Sequence, residues 1–170
     1  DIEWNVGIGL PDGMNVYGSL APKPGGGQTN TNKAVGGDSG AVTGPGWDIV
    51  LTHSGLWDGL NVFAGYSEIE QASGIGDRDQ SAYGATYAIG GLTLGYQRTK
   101  DDNPGVTGVY YENDAYGVSF AINDDLTVSY GVHESNQSTG SKVEAQSLQV
   151  SYSVGGASIK FAESEADNVN

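Results

Sequence analysis

Apolar and polar residues alternate with a period of two along most of this chain. In Leu126-Thr127-Val128-Ser129-Tyr130-Gly131-Val132-His133 every even position is apolar and every odd one is small or polar. Successive strand side chains point to opposite faces, so this is a strand with one apolar and one wet face. The same alternation runs through Leu148-Gln149-Val150-Ser151-Tyr152-Ser153-Val154, Leu92-Thr93-Leu94-Gly95-Tyr96-Gln97 and Ile2-Glu3-Trp4-Asn5-Val6-Gly7-Ile8-Gly9-Leu10. No comparable stretch has a 3.6-residue period. Ten strands follow, over about 2–10, 14–21, 47–54, 60–68, 80–89, 92–100, 113–122, 126–135, 145–154 and 157–165.

The connections alternate in length. Short ones fall at Pro11-Asp12-Gly13, Gly55 to Gly59, Gly90-Gly91, Asn123-Asp124-Asp125 and Gly155-Gly156, residues that accept positive φ or open a tight turn. Long ones cover about 22–46, 69–79, 101–112 and 136–144, placing all long loops at one end of the sheet. Tyr83-Gly84-Ala85-Thr86-Tyr87-Ala88-Ile89 followed by Leu92-Thr93-Leu94 recurs as Tyr116-Gly117-Val118-Ser119-Phe120-Ala121-Ile122 followed by Leu126-Thr127-Val128. A third copy runs from Leu148 to Val154 and on through Ala157-Ser158-Ile159. The repeating unit is one antiparallel hairpin, without the helical periodicity of a solenoid.

Two features suggest that the apolar face meets lipid. The other face is mostly Thr, Ser, Gly, Gln and Asn: Glu3, Asn5, Asn61, Thr93, Gln97, Thr127, Ser129, Gln149, Ser151, Ser158 and Lys160. Aromatic residues gather toward strand ends: Trp4, Tyr17, Trp47, Trp57, Tyr66, Tyr83, Tyr96, Tyr110, Tyr111, Tyr116 and Tyr130. Such amphipathic rings suit a membrane interface, where the ring meets acyl chains and its polar tip meets water. Strands of about ten residues at about 3.3 Å each, tilted about 40°, span about 25 Å, the apolar band of an outer-membrane barrel. The same rings could instead fill the core of a sandwich, which leaves a soluble or surface-exposed β-sandwich adhesin or carbohydrate-binding module as the alternative.

Composition narrows the choice. The 170 residues include 28 Gly, which argues against helices, since each interior Gly costs about 1 kcal/mol relative to Ala. Turns and curved strands absorb them, and Tyr17-Gly18, Gly65-Tyr66, Tyr83-Gly84, Gly95-Tyr96, Tyr116-Gly117 and Tyr130-Gly131 each set a ring beside a bare backbone. Absence of Cys excludes disulfides, a zinc ribbon and a thiol nucleophile. A net charge of −14 argues against nucleic acid as a partner. No apolar run is long enough for a membrane-spanning helix, and Asp1-Ile2-Glu3 does not open a cleavable signal.

The units Asp79-Gln80-Ser81-Ala82-Tyr83-Gly84-Ala85-Thr86-Tyr87, Asn113-Asp114-Ala115-Tyr116-Gly117-Val118-Ser119 and Leu148-Gln149-Val150-Ser151-Tyr152-Ser153-Val154-Gly155-Gly156-Ala157 resemble those of Gram-negative general diffusion porins, as found in marine and photosynthetic alphaproteobacteria. The resemblance covers nearly the whole chain, most clearly Leu60 to Val169. It implies an antiparallel, up-and-down transmembrane β-barrel of sixteen strands, water-filled, trimeric, and set in the outer membrane against the lipid bilayer and lipopolysaccharide. Small hydrophilic solutes would diffuse through it passively. Ten strands here against sixteen there lead us to expect an incomplete barrel lacking N-terminal strands and the last C-terminal one, with Ala166 to Asn170 in an external loop. By this count the constriction loop precedes Asp1, and the 22–46 segment is the next external loop.

The pore-lining expectation on the wet face is Glu3, Asn5, Asp48, Asn61, Gln97, Gln149 and Lys160, and the girdle expectation is Trp4, Tyr17, Trp47, Trp57, Tyr66, Tyr83, Tyr96, Tyr116 and Tyr130. The acidic surplus predicts a weakly cation-selective channel. Catalysis is not expected. Gly37-Asp38-Ser39-Gly40 matches a serine-protease motif, but no His precedes it, as that family's chain order requires. His53 and His133, at strand ends by this count, are too few for a His-rich metal site. Asp77/Asp79, Asp101/Asp102 and Glu112/Asp114 are acid pairs that could hold Ca²⁺ in external loops, though without EF-hand spacing; solvated loop charge is the simpler account, and no other cofactor is indicated.

Overall fold

A computed structural model describes residues 2–6, 9–22, 45–71, 76–103, 109–140 and 142–169. The Gly37 to Gly40 motif and most of the 22–46 connection lie outside them. The described residues form one antiparallel sheet of ten strands whose spatial order is the chain order. The strands are β1 (Ile2–Val6), β2 (Met14–Ala21), β3 (Gly46–Ser54), β4 (Leu60–Ile69), β5 (Arg78–Ile89), β6 (Leu92–Asn103), β7 (Val109–Ala121), β8 (Leu126–Gln137), β9 (Lys142–Val154) and β10 (Ala157–Val169). Every expected strand is present. Among the described residues no second layer covers the sheet, which removes the sandwich alternative: a sandwich needs two sheets packed face to face.

The strands depart from expectation chiefly at their ends. β1 is described over Ile2–Val6, and Gly9, expected within it, has φ +81° just before the turn in which the Met14 amide donates to the Pro11 carbonyl at 3.0 Å. At the long-loop end β5 to β10 run beyond the alternating segments. β7 begins at Val109 and β10 continues through Ala166-Asp167-Asn168-Val169, which is therefore strand rather than loop. These extensions are rich in Asp, Glu, Lys and Asn, so the apolar period fades there while backbone pairing continues.

The turns at the other end follow from their residues. Gly155 and Gly156 hold φ of +57° and +82°, the left-handed pair a two-residue hairpin needs. Asn123 Oδ1 accepts from the amides of Asp125 and Leu126, both at 2.9 Å, closing an Asx turn before β8.

Almost nothing is buried. Among the described residues only Ile69 and Val132 are buried hydrophobics, whereas Trp4, Trp47, Ile49, Leu94, Tyr116, Phe120, Leu148, Ile159 and Phe161 are exposed. Cross-strand partners in an antiparallel ladder share a face, so the register assigns these nine to one side: Trp47 opposite Leu20, Leu94 opposite Val118 and Tyr87, Tyr130 opposite Leu148, and Phe161 opposite Val150. A monomeric soluble protein rarely shows so large a contiguous apolar surface.

Candidate functional site

The wet face is the candidate site, and the register places all seven expected residues on it. Glu3 lies opposite Ser19, which lies opposite Asp48, and Asn5 lies opposite Tyr17. Asn61 faces Thr86, Gln97 faces Gly84 and Ala115, Gln149 faces Ser129 and Ala162, and Lys160 faces Ser151. They share a face without forming one cluster. The sheet is hollowed on this side: a cavity of about 600 Å³ is lined by Thr86, Gln97, Ser129, His133, Ser147 and Gln149, among others. A second, of about 490 Å³, takes in Asp48, Gln80, Asp101 and Asn113.

Polar groups along this wall are largely paired with one another. Ser19 Oγ donates to Asp48. Arg78 grips Asp101 with Nε at 2.8 Å and Nη2 at 2.5 Å, a forked arrangement that fixes both side chains. Asn113 Nδ2 donates to Thr99 Oγ1 at 3.1 Å, and Ser164 Oγ to Ser147 Oγ at 3.0 Å. Arg78 was not anticipated, and Asp101 was expected as a loop acid rather than on this face. Counting two residues at a time would have found them: from Gln97 through Thr99 to Asp101, and from Thr86 through Gly84, Ala82 and Gln80 to Arg78.

The register corrects the girdle. Tyr17 lies opposite Asn5 and Val50, and Tyr111, outside the expected girdle but among the rings read toward strand ends, lies opposite Asp101 and Gln137, so both stand on the wet face. Their identity as aromatics suggested the interface; their parity with Asn15 and Ser19, and with Asn113, decides otherwise. Trp57 lies in the short turn between β3 and β4, 71% exposed, at the end of the strands away from the long loops.

The remaining rings share the apolar face. Trp4 passes over Gly18, 3.8 Å from where a Cβ would stand. From Trp47 through Tyr66, Tyr83, Tyr96 and Tyr116 to Tyr130, each ring except Tyr116 sits two residues nearer the short-turn end than the partner of the ring before it. With about 3.3 Å per residue and about 4.8 Å between strands, that slip keeps the rings level when the strands lean about 45°. Four hydroxyls reach diagonally toward the long-loop end of the next strand: Tyr66 to Asp79 at 2.8 Å, Tyr96 to Asp114 at 2.6 Å, Tyr116 to Glu134 at 3.3 Å and Tyr130 to Gln146 at 2.5 Å. Rings thus lie against the apolar band with their polar tips turned to a charged belt.

That belt holds most of the charge in the strands. On the apolar side, beyond the rings, ten carboxylates (Glu68, Asp79, Asp102, Glu112, Asp114, Glu134, Glu144, Glu163, Glu165, Asp167) stand with three cations (Arg98, Lys100, Lys142). The strand residues of the wet face carry only Glu3, Asp48 and Asp101 against Arg78 and Lys160. The wall is nearly balanced, so the acidic surplus gives no basis there for the expected cation preference. The acid pairs expected in loops stand largely in strands: Asp101 and Asp102 point to opposite faces, and Arg98 bridges Glu112 at 3.0 Å and Asp114 at 3.6 Å. Among the described residues no three His, Asp or Glu side chains gather as metal ligands.

A search of curated protein sequences finds no match. Solved structures match in fold: a porin refined at high resolution (TM-score 0.73, 16% identity, 99% of this chain and 56% of that one) and an anion-selective porin from Comamonas acidovorans (0.75, 16%, 98% and 48%). A loop-deletion mutant of OmpT, an outer membrane protein of Vibrio cholerae, matches less closely (0.58, 12%, 97% and 57%). The chain spans about half the length of these structures. The profile of the Gram-negative porins matches residues 11–169, and with the open polar wall, the lipid-facing band and the ring of aromatics in place, the chain belongs to that family of outer-membrane β-barrel proteins.

Proposed function

We propose that these ten strands form part of the wall of a passive diffusion channel, through which small hydrophilic solutes and ions cross the outer membrane. The observation that carries this is the partition of the sheet: a hollowed, hydrogen-bonded polar face backed by an apolar face that none of the described residues covers. Water on one side and acyl chains on the other satisfy both. Glu3, Asn5, Asp48, Asn61, Gln97, Gln149 and Lys160 line the water path, together with Arg78, Asp101, Tyr17 and Tyr111. Further strands would close the barrel by pairing with the free edges of β1 and β10, in keeping with the fraction of each matched porin that this chain spans. Homotrimeric assembly and contact of the charged belt with lipopolysaccharide belong to the same proposal, as does the absence of enzymatic chemistry.

Selectivity stays weak in this proposal, but the wall's charge balance takes away the reason for a cation preference and leaves its sign to the net of Glu3, Asp48, Asp101, Arg78 and Lys160 and to whatever constriction the barrel carries. Reconstitution of the whole protein into planar bilayers tests the proposal. Stepwise, ohmic conductance increments are expected, and a membrane left electrically silent at any protein concentration overturns it.

A further inference from the structure

Two histidines occur in the chain, and the register sends them to opposite faces. His53 lies opposite Met14 and Val62, on the apolar side near the short turns. His133 lies opposite Ala115 and Ala145, on the wet side. It is the eighth residue of β8 rather than a strand end, because β8 continues to Gln137.

The surroundings of His133 are bare. On β7 the residues sharing its face are Asn113, Ala115 and Gly117; on β9 they are Val143, Ala145 and Ser147; on its own strand they are Gly131 and Ser135. None of these titrates. One strand further, Gln97 and Ala166 continue the two rows. Neighbours this small leave the imidazole exposed, lining the 600 Å³ hollow with Gln97, Ser147 and Gln149, and it makes no hydrogen bond or ion pair among the described residues. Glu134, next in sequence, points to the other face, where Lys142 holds it at 3.2 Å. The other charges of the described wall are the Arg78–Asp101 pair, Glu3, Asp48 and Lys160.

We propose that His133 is a selectivity-determining residue of the channel wall, which favours anions more when its imidazole carries a proton than when it is neutral. The inference rests on the channel function proposed above. Histidine is the side chain whose ordinary titration falls between pH 5 and 8. On a wall of nearly balanced charge, one added cation changes the sign of the preference far more readily than it would on a strongly acidic wall. Water and salt screen it, so the effect is modest: the cation-to-anion permeability ratio falls roughly twofold on protonation.

The test is the reversal potential of the whole protein in a KCl gradient, at pH 5.5 and pH 7.5. Wild-type protein and His53→Gln should both show the shift toward anions at the lower pH. His133→Gln should lose it. His133→Arg should show the low-pH preference at both values, which also covers the case in which the Gln variant fails to insert. Channels that conduct without any pH-dependent preference, a shift that survives in His133→Gln, or one that disappears in His53→Gln would each overturn the assignment of His133. Absence of conductance altogether, by contrast, would strike the channel function itself.

Discussion

At the scale of single residues, parity along the strand decides more than chemical type. Phe63 is a large apolar ring on the wet face, where Asn61, Gly65 and Ser67 keep it company. It is held there by Gly84 opposite: a Cβ on Gly84 would stand 2.7 Å from Phe63 Cε1 and 2.5 Å from the Tyr96 carbonyl oxygen. The glycine makes room both for the ring and for the close approach of β6. Gly84→Val should therefore cost about 1–3 kcal/mol of stability, as overpacking does, read as a lowered denaturation midpoint in detergent. Adding Phe63→Ala should recover only part of the loss, because the carbonyl contact remains. Complete recovery would show that the ring alone dictates Gly84. The places of Tyr17 and Phe63 were both legible from their neighbours two residues away. The tyrosine was misassigned because its amphipathic chemistry was given more weight than its position.

At the scale of the strand, the register makes adjacent residues into opposite environments. Val118 and Ser119 differ by one position, yet Val118 lies between Leu94 and Tyr130 on the apolar face while Ser119 lies between Thr93 and Ser129 on the wet one. A lysine at Val118 would place an ammonium against acyl chains, at about 2–4 kcal/mol near the bilayer midplane. A lysine at Ser119 stays in water. Val118→Lys should thus sharply reduce the yield of folded barrel, whereas Ser119→Lys should fold normally and move the reversal potential toward anions. Equal tolerance of the two would contradict the face assignment. All ten strands were legible because alternation is a direct trace of that two-sided environment, and the short turns because Gly and Asn announce them. The outer ends were not. Beyond the tyrosine row both faces are polar, as at Asp101 and Asp102, so the period fades although the ladder continues to Asn103.

For the whole molecule, the distribution of charge separates what composition had merged. A formal charge of −14 seemed to describe the water path, but the strand carboxylates cluster on the outside of the sheet, where Tyr66, Tyr96 and Tyr116 donate to three of them. Composition cannot reveal this, since a carboxylate two residues from a tyrosine reads alike whichever side it faces until the pairing is known. The same geometry fixes how these 170 residues must behave in isolation. The described residues have almost no buried core, an apolar face made of Trp47, Ile49, Leu94, Phe120, Leu148 and Phe161, and edge strands β1 and β10 with no strand paired on their outer sides. Exposed apolar surface and open edges both drive association, and the acidic belt lies too near one end of the strands to shield the band below it. Expressed alone, the segment should sediment as aggregate in plain buffer and disperse only in detergent or lipid. A monodisperse species in buffer, by analytical ultracentrifugation, would mean that the apolar face is covered by protein, and with it the assignment of that face to the bilayer would fall.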